Sequence, residues 1–284
     1  MSDAQPNDAP RPSVRPVFFV SDRTGITAET LGHSLLTQFN GIEFQRVTVP
    51  FIDNADKARE MVVRINEATR ASGVQTLVFS SFVDDEVREI IETADCLCLD
   101  FFDAFIGPLE RELDVRSAHA AGRAHGMQDH DDYTRRIDAM NFSLANDDGV
   151  NTRNYGSAEV VLIGVSRSGK TPTCLYLALH YGIHAANCPL TEDDLEDGKL
   201  PPALAKHRER LFGLTIDPVR LKGIRQERRP DSRYSSTRQV NFEVKEAEAM
   251  FRRYEIPFYN TTNASVEEIA TTVIQKAGLR RRLL

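Results

Sequence analysis

Residues 164 to 171 read Gly-Val-Ser-Arg-Ser-Gly-Lys-Thr, the full spacing of a G-x-x-x-x-G-K-[ST] phosphate-binding loop, and the apolar run Val160-Val161-Leu162-Ile163 leads straight into them. A loop of this kind needs a strand before it and a helix after it. Its glycines let backbone N–H groups turn inward around phosphates, its lysine reaches the terminal phosphates, and its last hydroxyl ligates Mg²⁺. Gly164, Val165, Ser166, Arg167, Ser168, Gly169, Lys170 and Thr171 are therefore the candidate nucleotide-binding residues, with Thr171 as the metal ligand. Pro172 follows, which lacks an N–H but suits the first turn of a helix. Cys174, Leu175, Leu177, Ala178 and Leu179 then continue as an apolar helix toward Gly182.

The rest of the chain must supply the sheet for that unit. At 284 residues, 41% hydrophobic and 27% charged, it has room for two domains of ordinary globular composition. The apolar runs fall short of the roughly 18 residues a membrane span needs, and Met1 to Pro16 has no apolar signal core, so a cytoplasmic location without membrane association is expected. A formal charge of −7 argues against bulk nucleic-acid binding. Cys96, Cys98, Cys174 and Cys188 match neither zinc-ligand nor disulfide spacing and read as buried thiols. The histidine spacings match no metal site either.

Residues 1 to 15 form a polar, proline-rich lead-in, expected to be disordered. Val17-Phe18-Phe19-Val20 reads as a buried strand, Ser21 to Gly25 as a turn, and Thr27 to Phe39 as a helix. Strand 44–49, helix 56–72, strand 76–79, helix 84–93 and strand 96–100 follow, the alternation of a parallel sheet with helices on its faces. From Phe105 to Asn154 the texture changes, with His119, His125 and His130 and a helical stretch near Tyr133 to Leu144. This division predicts an α/β protein: an N-terminal parallel-sheet α/β domain over 16–115, a connector over 116–156, and a phosphate-loop α/β domain over 157–284.

Within that last domain, 189–202 is an acidic, proline-bounded loop, and Leu211 to Asp217 is an apolar strand ending in Asp. A carboxylate there suits the metal-assisting position on a strand beside a phosphate loop, although Asp before Pro218 also opens helices, here 218–227. The chain closes with strand 255–260 and an amphipathic helix from Ser265 to Lys276, whose Ser265 and Glu268 make a capping box. Residues 201 to 240 carry ten Lys/Arg against four acids, a local excess of +6 in an acidic protein. The arginines from Arg225 to Arg238 suit phosphate or phosphoprotein contacts, or simply a solvated helix face and loop. Ser21 to Gly25, between strand and helix, is a second candidate anion loop or a plain turn.

Four segments together resemble one bacterial family. They are Ser21-Asp22-Arg23-Thr24-Gly25-Ile26-Thr27, Gly164 to Thr173, Leu211-Phe212-Gly213-Leu214-Thr215-Ile216-Asp217-Pro218, and Asn260-Thr261-Thr262-Asn263-Ala264-Ser265. The chain is similar to regulatory proteins of phosphoenolpyruvate synthase, whose sister group acts on pyruvate, phosphate dikinase; Asn260 to Asn263 and Arg233 to Gln239 look closer to the synthase branch. The resemblance implies a bifunctional enzyme. ADP is the donor for phosphorylating a threonine beside the target's catalytic histidine, which inactivates it. Inorganic phosphate removes that group as pyrophosphate, which reactivates it. It further implies Lys170 at the donor phosphates, Mg²⁺ on Thr171, Asp217 or Asp22 as the base for the acceptor threonine, and phosphoenolpyruvate synthase as protein partner. A homodimer is left open. Other readings of the loop are the same activity on the dikinase, an ATP-dependent small-molecule kinase or NTPase, and a nucleotide sensor without chemistry.

Overall fold

A computed structural model describes residues 14–118 and 130–280, and these form two compact units that part between them. His119 and His125, nearly all of the 1–15 lead-in and the last four residues lie outside the described residues, as does the side chain of His130.

The first unit alternates strand and helix throughout. Its elements are β1 (Arg15–Ser21), α1 (Ile26–Leu36), β2 (Phe44–Val49), α2 (Ala55–Ser72), β3 (Thr76–Ser81), α3 (Asp85–Glu92), β4 (Cys96–Asp100) and α4 (Phe101–Leu113). The strands form one parallel sheet in the order β2-β1-β3-β4. Successive strand side chains point to opposite faces. Phe18, Val20 and Val78 thus meet Met61 and Ile65 of α2 and Val87 and Ile91 of α3, while Val17, Phe19 and Phe79 meet Ala28 and Leu36 of α1. Caps mark where helices begin: Asn54 accepts from Lys57 N, Asp84 from Glu86 N and Val87 N, and Asp100 from Phe102 N and Asp103 N. Helix α4 covers the start of the stretch whose texture changes from Phe105, and it carries Pro108 inside it.

The second unit opens with α5 (His130–Ala145) and two 3₁₀ turns, Asp147–Gly149 and Thr152–Ser157. Then come β5 (Val160–Gly164), α6 (Lys170–Tyr181), β6 (Ala185–Pro189), α7 (Glu192–Asp197), α8 (Pro202–Ala205), β7 (Leu211–Thr215), α9 (Pro218–Arg228), α10 (Thr237–Arg253), β8 (Phe258–Asn260) and α11 (Val266–Lys276). Its parallel sheet has the order β6-β5-β7-β8. Val160, Leu162, Phe212 and Leu214 pack against α6 and α11, and Val161, Ile163 and Leu211 against α9 and α10. Helix α5 packs on α6 and β6, so the second half of the expected connector belongs to this core. The 189–202 loop contains α7, opened by a capping box of Thr191 and Asp194. Strand β6 and helix α10 have no counterpart in the elements expected from the sequence. Among the described residues no helix is long and apolar enough to cross a membrane. All four cysteines are free thiols, but only Cys174 is buried; the other three are half-buried.

Candidate active site

The Gly164–Thr171 segment joins the end of β5 to the first turn of α6, at the carboxyl edge of the sheet. In an open parallel sheet, ligands bind outside the carboxyl ends of the strands where the order reverses direction. β5 has that place, with β6 on one side and β7 on the other. Both loop glycines are required by geometry. A Cβ on Gly164 would stand 2.2 Å from the Leu214 carbonyl oxygen, and Gly169 has φ of 92° as it hands the chain to α6. Arg167 also takes a left-handed φ, of 75°, and its side chain is exposed.

Lys170 is buried inside the loop, where its Nζ donates to the Val165 carbonyl at 2.9 Å. Burial depresses its pKa to about 8, against a smaller opposing effect of the Asp148 carboxylate. Ser168 Oγ is buried and has no hydrogen-bond partner among the described residues. An ammonium turned onto a backbone carbonyl and an orphaned hydroxyl are groups that a bound phosphate satisfies. Thr261 Oγ1 braces the loop from β8's end by donating to Ser168 O at 3.1 Å.

Thr171 Oγ1 donates to Asp147 Oδ1 at 2.9 Å. Asn187, fully buried on β6, holds the turn that carries this carboxylate: its Nδ2 also donates to Asp147 Oδ1, its Oδ1 accepts from Asp148 N at 3.1 Å, and its own N donates to Asn146 O at 3.3 Å. Neither Asp147 nor Asn187 was singled out in the sequence. They lie 24 residues before and 16 after Thr171, with no motif marking either.

Asp217 is occupied otherwise. Its Oδ1 accepts from Val219 N at 2.8 Å and Arg220 N at 3.0 Å, which caps α9. Asp22 belongs to the first unit, buried at the end of β1, where its carboxylate accepts from Val83 N and from Ser21 Oγ at 3.4 Å each. It lines a cavity of about 730 Å³ together with Arg23, Phe51, Asp53, Val83, Asp84 and Asp85. Four carboxylates against one guanidinium make this cavity unlike an anion cradle.

The arginine-rich segment also divides. Arg228, Arg229, Arg233 and Arg238 are exposed, and Arg233 pairs with Glu192. Arg225 is fully buried, an outcome the solvated-face reading did not anticipate. It pairs with Glu243 at 2.6 Å, donates to Ser166 O and Tyr234 O at 3.1 Å each, and lies 4.2 Å from the centre of the Tyr234 ring. Tyr234 OH in turn bonds Ser166 Oγ at 2.9 Å. The loop therefore rests on a buried ion pair between α9 and α10.

The family model for kinase/pyrophosphorylase matches residues 17–274, which spans both units. This chain belongs to the kinase/pyrophosphorylase family. It is 55% identical to a protein of Marinobacter nauticus over 94% of this chain and 98% of that one, and 56% identical to one of Alkalilimnicola ehrlichii over 95% and 98%. A Halorhodospira halophila protein is 55% identical over 95% and 99%. All three bear the provisional name phosphoenolpyruvate synthase regulatory protein.

Proposed function

We propose that this protein regulates phosphoenolpyruvate synthase in both directions, as an ADP-dependent serine/threonine kinase that inactivates it and a phosphate-dependent pyrophosphorylase that reactivates it. The observation that carries the reading is the buried Lys170 inside a strand-to-helix glycine loop, in a member of the kinase/pyrophosphorylase family. The relatives' names supply the target.

In the forward direction the β-phosphoryl of ADP passes to the threonine oxygen, which loses its proton, and AMP leaves. In reverse, orthophosphate takes the phosphoryl from phosphothreonine, giving pyrophosphate and a free hydroxyl. Such transfers require positioning and charge stabilisation more than covalent chemistry by the protein. Lys170 leaves the Val165 carbonyl for the donor's phosphate oxygens, and the loop N–H groups and Ser168 Oγ add neutral donors. Thr171 would hold Mg²⁺, which when bound would supply positive charge at the transferring phosphate. Arg225 keeps Ser166 in place beneath the phosphates. The proton from the threonine goes to a carboxylate; of the sequence's two candidates Asp217 caps α9, which leaves Asp22.

The test incubates the protein with phosphoenolpyruvate synthase and either ADP or ADP-free ATP, then assays the synthase and its phosphothreonine. ADP alone is expected to inactivate, and added orthophosphate to restore activity with release of pyrophosphate. Turnover of ATP without a protein acceptor would identify a small-molecule kinase instead. Binding without turnover would identify a sensor.

A further inference from the structure

We propose that Asp147 is the carboxylate of the metal site, orienting the Thr171 hydroxyl toward Mg²⁺ and holding the cation's outer shell. The assignment rests on the nucleotide reading above and moves the metal-assisting role from Asp217 to a residue outside every recognised motif. A hydroxyl that ligates a cation does so through an oxygen lone pair, so its single proton must point at another acceptor. Asp147 Oδ1 is that acceptor, 2.9 Å from Thr171 Oγ1. The same oxygen receives Asn187 Nδ2, so two donors converge on Oδ1 and leave Oδ2 for a metal-bound water. Asn187 reaches the turn through three of its groups from a fully buried position on β6, which fixes the carboxylate before any ligand arrives. Preorganised partners of this kind hold ligating groups in the right orientation and tune metal affinity. Asp217 likewise takes two donors on Oδ1, but they are the N–H groups of its own helix, and the Thr171 hydroxyl donates to Asp147 instead. Asp217 has the surroundings of a cap.

The experiment measures ADP affinity by calorimetry in EDTA and across a Mg²⁺ titration, with Mn²⁺ electron paramagnetic resonance as a direct reading of the bound cation. Wild type, Asp147→Asn, Asp147→Glu and Asp217→Asn are compared. In Asp147→Asn the Mg²⁺ concentration that half-maximally tightens ADP is expected to rise about 10- to 100-fold. Its metal-free ADP affinity is expected to be unchanged or tighter, since a negative charge near the phosphates has gone. Asp147→Glu should recover part of the metal response, and Asp217→Asn should titrate like wild type. An unshifted midpoint in Asp147→Asn, or a shift in Asp217→Asn instead, overturns the assignment. Loss of metal-free ADP binding in Asp147→Asn makes the residue merely structural and overturns it too. A wild-type protein that binds no ADP with or without Mg²⁺ defeats the nucleotide reading itself, an outcome distinct from a wild type that binds ADP beside an unaffected variant.

Discussion

The two units are built on one plan and differ where the chemistry would be. Each has a four-stranded parallel sheet in which the first strand lies between the second and the third, and the fourth lies beyond the third. In each, the first strand runs through a short loop ending in a left-handed glycine, Gly25 (φ 77°) or Gly169 (φ 92°), that opens a helix. After Gly169 come the buried Lys170 and the half-buried Thr171; after Gly25 come the exposed Ile26 and the half-buried Thr27. Asp84 and Asp217 also correspond, each capping the helix after the third strand of its sheet. The same backbone plan thus carries a cation in one unit and an acid-lined cavity in the other. Topology places a loop at the ligand-binding edge, and side chains alone decide what it can hold.

The largest expected effect breaks that asymmetry. Lys170→Ala removes the buried charge of the second loop, so both transfer directions should fall by about three orders of magnitude or more, in keeping with loss of a key transition-state cation. Rate assays beside circular dichroism check it; a folded variant with retained kinase activity would remove the loop from the site. The support beneath the loop comes next. Arg225→Met leaves Glu243 buried without its partner and should destabilise the protein by about 3–5 kcal/mol, read by urea denaturation. The double variant Arg225→Met/Glu243→Leu should recover much of that loss.

The first loop offers the reciprocal test. Asp22→Asn should lower transfer to the protein substrate by about tenfold while ADP affinity stays as in wild type, the effect expected of a group engaged in acid–base chemistry or acceptor contact. Wild-type rates with a lower melting temperature would confine Asp22 to its hydrogen bonds with Val83 and Ser21.

A smaller effect follows from the lysine's titration. Its pKa in the free protein is about 8, below the ordinary 10.5 because burial penalises the ammonium. Phosphate binding favours the charged form and raises that pKa, so ADP affinity should be flat below pH 7 and fall as pH rises above 8. Calorimetry at pH 8 in buffers of different ionisation enthalpy should show uptake of roughly half a proton. Uptake near zero would mean the lysine is already fully charged before ADP binds. The least effect belongs to the caps: Asp217→Ala and Asp84→Ala should each cost about 1 kcal/mol, the usual value of an N-cap. Equal losses in thermal melts would sharpen the match between the units, whereas a large catalytic loss in Asp217→Ala alone would return that residue to the site.

Much of the fold was legible because most elements announce themselves locally. Strand 44–49 and strand 96–100 match the expected bounds, and the capping box of Ser265 and Glu268 opens α11 as read. Helix α10 is obscured in the sequence by the arginine-rich run that crosses its start, although Ser236 caps it and Val240, Val244, Ala247 and Phe251 give it an apolar face. Strand β6 was missed for a different reason. Ala185-Ala186-Asn187-Cys188-Pro189 has weak strand propensity, and its place beside β5 is secured by long-range pairing.

By itself the sequence determined the loop that turns β5 into α6, the α/β alternation of both units and the positions of several caps, since these depend on residues a few places apart. Only the tertiary structure decided that Asp147 meets Thr171, that Arg225 is buried on Glu243, and that Asp217 is committed to its helix. Those outcomes come from partners 18 to 24 residues apart, or from which of two roles a carboxylate takes. Burial makes the difference, because a charge or polar group withdrawn from water must find its partner wherever the packed chain brings one within reach.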